Sequence, residues 1–146
     1  MKTYLAAGVL GLSIAGQATA HDSDTQNLTQ PTSDDIANAK AVTDDIMRIL
    51  ESGDTERAIR QIAAGSRLIS EKPQQINLLV GQAKNAELLY GAIKRCVPSK
   101  YSYQSSLRVE FQYVCQHEES LLQWTLKVDN LPSGWTISNF SFNDTF

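Results

Sequence analysis

Three sets of side chains in this sequence could do chemistry: the histidines, the cysteines and a scatter of tyrosines. The chain has 2 histidines. Cleavage after Ala20 would leave His21 at the amino terminus, where its amine and imidazole could chelate copper together, since imidazole suits that metal. A brace of that kind needs a second imidazole, and the other one, His117, sits in the polar run His117-Glu118-Glu119-Ser120. One ligand in a polar leader and one in a solvated turn give no fixed geometry. The expectation is no metal and no cofactor.

The 2 cysteines, Cys96 and Cys115, lack the Cys-x-x-Cys spacing usual in catalytic dithiols. In an oxidising compartment such a pair reads as a structural disulfide. It would close a loop of about 20 residues and contribute roughly 3 kcal/mol in the chain-entropy model. Acid–base catalysis needs an ionisable group within hydrogen-bond reach of a substrate. The apolar phase of the two alternating segments near the C-terminal third supplies only Leu, Val, Phe, Tyr, Cys, Leu, Trp, Leu and Val. Tyr113 alone could move a proton there, and a core aromatic with a satisfied hydroxyl is its simpler role. Glu87 is placed by its neighbours on the polar side of its helix. The favoured reading is therefore non-catalytic.

Tyr90, Tyr101, Tyr103, Tyr113 and Trp124 are the candidate ligand or partner surface, because aromatic walls with polar tips line pockets. Core packing competes for Tyr113 and Trp124. Tyr101 and Tyr103, beside Lys94, Arg95 and Lys100, suit an exposed aromatic-basic rim that meets a partner. No phosphate-binding loop, dinucleotide fingerprint, zinc spacing or Gly-x-Ser-x-Gly elbow is present.

Residues 1–20, MKTYLAAGVLGLSIAGQATA, decide where these groups would work. Lys2, the apolar run Leu5–Ala15 and Ala18-Thr19-Ala20 read as a secretory signal peptide, too short to span a bilayer. No cysteine lies near the cleavage site, so a lipoprotein anchor is not expected. The expected address is periplasmic or secreted. Removing 20 of 146 residues leaves 126, one ordinary domain. Without Lys2 the 13 bases become 12 against 16 acids, a net charge of −4, which disfavours nucleic acid as a partner.

Charge is blocked along the chain. Acids dominate Asp22–Glu56, bases dominate Arg57–Arg108, and acids return in Val109–Phe146. The middle block could form a basic face for an anionic partner. The simpler expectation is that the acidic first helix lies beside the basic helices that follow and neutralises them.

The elements follow from periodicity. After a flexible leader over 21–32, Thr32 or Ser33 caps a helix whose Ile36, Ala39, Val42, Ile46, Ile49 and Leu50 recur at helical spacing, with Gly53 as its left-handed stop. Asp54 or Thr55 caps a second helix ending at Gly65. A third and longest helix is expected from Gln74 to about Arg95, ended by Cys96-Val97-Pro98-Ser99. Beyond Pro98 the period becomes two, giving strands over Leu107–Cys115, Leu122–Val128 and Trp135–Phe142. A phase slip near Ser138-Asn139 predicts a β-bulge or a bend. The expected fold, over 33–146, is α+β: three N-terminal helices packed on a curved antiparallel sheet of three or more strands. The disulfide would then pin the long helix to the sheet at one rim.

The stretch Asp45-Ile46-Met47-Arg48-Ile49-Leu50-Glu51-Ser52-Gly53-Asp54-Thr55-Glu56-Arg57-Ala58 resembles the helix, Gly-Asp, helix opening of nuclear-transport-factor-two-like domains. Gly134-Trp135-Thr136-Ile137-Ser138-Asn139-Phe140-Ser141-Phe142 resembles their final strand, and Leu89-Tyr90-Gly91 fits between. The resemblance spans about residues 34–144 and is closest to small secreted bacterial members. It implies a cone of sheet and long helix whose mouth can hold a small apolar ligand. Members that are isomerases, dehydratases or hydrolases place carboxylates or a Tyr-Asp pair inside the cone, while others only bind ligands or partners, or dimerise. The expected function is binding of a small apolar ligand, a protein partner or a second copy. A small cone-fold enzyme and a secreted inhibitor or immunity protein are the alternatives.

Overall fold

The computed structural model describes residues 29–146, so the signal-like segment and His21 lie outside the described residues. Four helices precede four strands: α1 (Ser33–Glu51), α2 (Thr55–Gly65), α3 (Arg67–Ser70), α4 (Pro73–Tyr90), β1 (Arg95–Ser105), β2 (Arg108–Gln116), β3 (Leu121–Leu131) and β4 (Gly134–Asn143). The strands form one antiparallel sheet in the order β1-β2-β3-β4. The α+β class stands, with one more helix and one more strand than the sequence suggested.

Local chemistry sets the boundaries. Thr32 caps α1 in a capping box, its hydroxyl taking the Asp35 N–H while the Asp35 carboxylate takes the Thr32 N–H. Gly53 follows at φ 82°, the left-handed stop expected of it. Asp54 caps α2 by accepting from the Arg57 N–H. Pro73 opens α4 at its first position, where a missing N–H costs nothing.

β2 and β3 alternate buried and half-buried residues along nearly their whole length. Val109, Phe111, Tyr113 and Cys115 therefore share one face with Leu122, Trp124, Leu126 and Val128, and α1 covers that face with Ala39, Ile46, Met47 and Leu50. In β4, Val128 pairs with Ile137 and Lys127 with Asn139, which leaves Ser138 as the extra residue. The phase slip is that bulge, and it lets Trp135, Ile137, Phe140 and Phe142 all face inward.

Three expectations change. The long helix ends at Tyr90 rather than near Arg95. Residues from Arg95 onward form an edge strand instead, so Cys96 sits directly opposite Cys115 in the β1–β2 ladder. The disulfide consequently ties strand to strand, with Cα atoms 4.0 Å apart, and does not staple helix to sheet. Only α1 crosses all four strands, whereas α4 packs chiefly on α2. The charge blocks neutralise only partly as expected: Glu56, the last acid of the first block, pairs with Arg60 and Lys84 of the middle block. Bases of the middle block meet acids of the tail, Lys94 with Glu118 and Arg108 with Asp129, while the α1 acids Asp44 and Asp45 pair within the helix with Lys40 and Arg48.

Candidate functional site

The five aromatic candidates do not form one surface, and the two that are brought together, Tyr113 and Trp124, are cross-strand partners in the core. Trp124 and Tyr113 are core residues, 2% and 1% exposed. Trp124 stacks with Phe140 and Phe142, with ring centroids 6.4 and 4.8 Å away. Tyr113 reaches α1: its hydroxyl donates to Asp44 Oδ1 at 2.8 Å and lies 2.6 Å from Thr43 Oγ1. Burial above all, with the Asp44 bond and charge adding to it, pushes the phenol well above its ordinary range. A closed, protonated phenol joins helix to sheet; it has no route to a substrate. Tyr101 and Tyr103 stand on the inward face of β1 beyond the cover of α1, 52% and 40% exposed. Tyr101 leans on Phe111 at 6.1 Å.

Two candidates border a cavity: Tyr103 a small one of about 60 Å³ beside Arg108 and Glu110, and Tyr90 a larger one. α4 ends there because Gly91 turns at φ 82°, and a Cβ at Gly91 would come within 2.6 Å of the Glu118 carboxylate. The β2–β3 hairpin buttresses this end. Glu119 N–H donates to Tyr90 O at 2.9 Å, and Lys94 N–H to Gln116 O at 2.7 Å. His117, expected in a solvated turn, is instead 4% exposed. Its Nδ1 donates to Gly91 O at 2.7 Å, and the Tyr90 ring stands edge-on to it at 6.3 Å. The Gly91 carbonyl can only accept, so Nδ1 carries a proton, and the buried Nε2 has no hydrogen-bond partner among the described residues. Nothing in its polar sequence neighbourhood signals that burial. The ring is a buttress, which removes the second imidazole from a copper brace.

Held this way, Tyr90 forms one wall of a cleft of about 280 Å³ between the last turns of α4 and the ends of β3 and β4. Ala86, Leu89, Leu122 and Phe142 supply apolar surface, and Asn85, Asn143 and Asp144 supply polar tips. Its volume is close to the lower bound of roughly 300 Å³ for small-molecule sites. The Tyr90 hydroxyl donates to Asp144 Oδ2. That bond holds the phenol above its usual range. Leu89 and Leu88 carry the apolar surface out of the cleft onto the open face of α4, at 67% and 85% exposed.

A second recess of about 200 Å³ lies between α1, α2 and the start of β4, lined by Val42, Ile46, Ile62 and Trp135. Asp45, its one charged group, is taken by Arg48 at 2.8 Å. Glu87 does not face solvent as its neighbours suggested. It is half-buried and accepts from the Thr55 hydroxyl, joining α4 to the start of α2. Among the described residues no group of three or more His, Cys, Asp or Glu is placed to hold a metal. No helix among them is long and apolar enough to cross a membrane. No family model matches the chain, and no curated protein or solved structure matches it closely enough to lend it an identity.

Proposed function

We propose that this chain is an exported, non-catalytic binding domain, periplasmic or secreted, that takes a small apolar ligand into the cleft beside the end of α4. The cleft carries the reading: four apolar side chains converge there with three polar tips, the composition of a ligand site rather than of a filled core. The closed Cys96–Cys115 bridge supports export, because such bonds persist in oxidising compartments. The burial of Tyr113 supports binding over catalysis, since the one inward ionisable group of the central strands is shielded by Thr43 and Asp44. The nuclear-transport-factor-two-like assignment belongs to the same proposal. Its support is the order of helices before a meander, with the Gly53-Asp54 turn between α1 and α2 and Gly134-Trp135 opening β4.

Native mass spectrometry of the chain purified from its own compartment tests the reading. The expected species begins at His21, carries one disulfide and retains a small non-covalent adduct that Ala86→Trp, which fills the cleft, removes. A bare chain, or an adduct that survives Ala86→Trp, contradicts it. A protein-partner reading is favoured by one observation, the exposure of Tyr101 and Tyr103 on an edge strand. Pull-downs in which Tyr101→Ala and Tyr103→Ala leave every partner in place would remove it.

A further inference from the structure

Resting on the cleft reading above, we infer that the ligand is an amphiphile with a cationic head, its aliphatic body against Leu89, Leu122 and Phe142 and its ammonium at Asp144. Every polar group offered at the cleft can accept. Asp144 Oδ2 already takes the Tyr90 hydroxyl, and Oδ1 has no partner among the described residues. The amides of Asn85 and Asn143 also line the cleft, each with a carbonyl acceptor and an NH2 donor, so the one charge offered to a head group is that of Asp144.

Among the described residues no base competes for that carboxylate. The lining contains none, and the two lysines flanking this end of α4 in sequence are engaged elsewhere, Lys84 with Glu56 and Lys94 with Glu118. An ammonium gains a charge-assisted bond at Oδ1. A hydroxyl head gains only a neutral one, and a carboxylate head meets like charge. The apolar walls are the same for all three, so the head group alone separates them.

Octylamine, octanol and octanoate, titrated into the oxidised chain and followed by calorimetry, separate the possibilities. Octylamine is expected to bind about fivefold tighter than octanol, the size of a solvent-accessible charge pair, with octanoate weakest. Asp144→Asn is expected to bring octylamine down to octanol and leave octanol unchanged. Because the Tyr90 ring borders both the cleft and His117, the His117 ring resonances should shift during the octylamine titration. Equal affinities for octylamine and octanol, or a preference for octanoate, overturn this inference and leave the apolar cleft standing. Octylamine binding that does not move the His117 resonances overturns it as well. Failure of all three probes to bind overturns the cleft reading itself.

Discussion

α1 and α4 are nearly the same length, 19 and 18 residues, yet the molecule uses them in opposite ways. α1 lies across the sheet, buries Ala39, Thr43, Ile46, Met47 and Leu50, and is tied to β2 through the Tyr113 hydroxyl. α4 buries only Ile76, Val80 and Ala83 and leaves Leu78, Leu88 and Leu89 in solvent. Scattered exposed leucines such as Leu78 need no explanation, but Leu88 and Leu89 stand at the cleft end of the helix, and Leu89 lines the cleft itself. The contrast shows that helical periodicity identifies an apolar stripe without telling whether the stripe meets the chain's own core or is left for something else. α1 is the keystone of the core. α4 is the wall of the candidate site.

The largest test of that contrast is a matched pair of substitutions. Leu50→Ala, at a fully buried position of α1, is expected to cost about 2–5 kcal/mol in urea unfolding. Leu88→Ala should stay within about 0.5 kcal/mol. Equal losses would break the division between the two helices.

Next in size is the cross-strand bridge. Cys96→Ser with Cys115→Ser should cost about 3 kcal/mol. Hydrogen exchange should rise first in β1, which buries little of its own surface. Acceleration centred on α4 would instead restore a helix-to-sheet staple.

Tyr113→Phe removes the polar tie that α1 has and α4 lacks, for an expected loss of about 1–2 kcal/mol. The phenol's folded value lies above its ordinary 10.0. Its contribution is therefore fully present below pH 10 or so, and is lost as pH rises through the higher folded value. Wild type should lose more stability than Tyr113→Phe between neutral pH and pH 11; parallel alkaline curves would contradict the buried contact. The smallest expected effect is Tyr101→Ala with Tyr103→Ala, within about 0.5 kcal/mol each by thermal melting, since neither contributes much to the core.

Most of the frame was legible in the residues because each signal had one physical cause. The stripe of α1, the capping residues Thr32 and Asp54, and the alternation of β2 and β3 all appear where the pattern put them. So does the bulge at Ser138, whose extra residue shifts the inward phase from Ile137 to Phe140. β1 was not legible. Its own extra residue, Ser99, moves the inward phase from Cys96 and Pro98 to Tyr101 and Tyr103. Pro98 reads as a breaker, though at a sheet edge it is tolerated. With solvent on most of its length, the strand carries no apolar alternation to detect.

The site was less legible than the fold. Tyr90 was named from its type, but its partner Asp144 lies 54 residues away and meets it only through the packing of α4 against the strand ends. His117 is buried because the hairpin folds back on Gly91, a tertiary event that the run His117-Glu118-Glu119-Ser120 does not encode.

Where an apolar probe settles on the oxidised chain tests this account most directly. Amide resonances followed during an octanol titration should shift at Ala86, Leu89, Tyr90, Leu122 and Phe142, while those of the α1 core stay fixed. Shifts confined to Tyr101 and Tyr103, or to the recess around Trp135, would move the site off α4 and contradict the assignment.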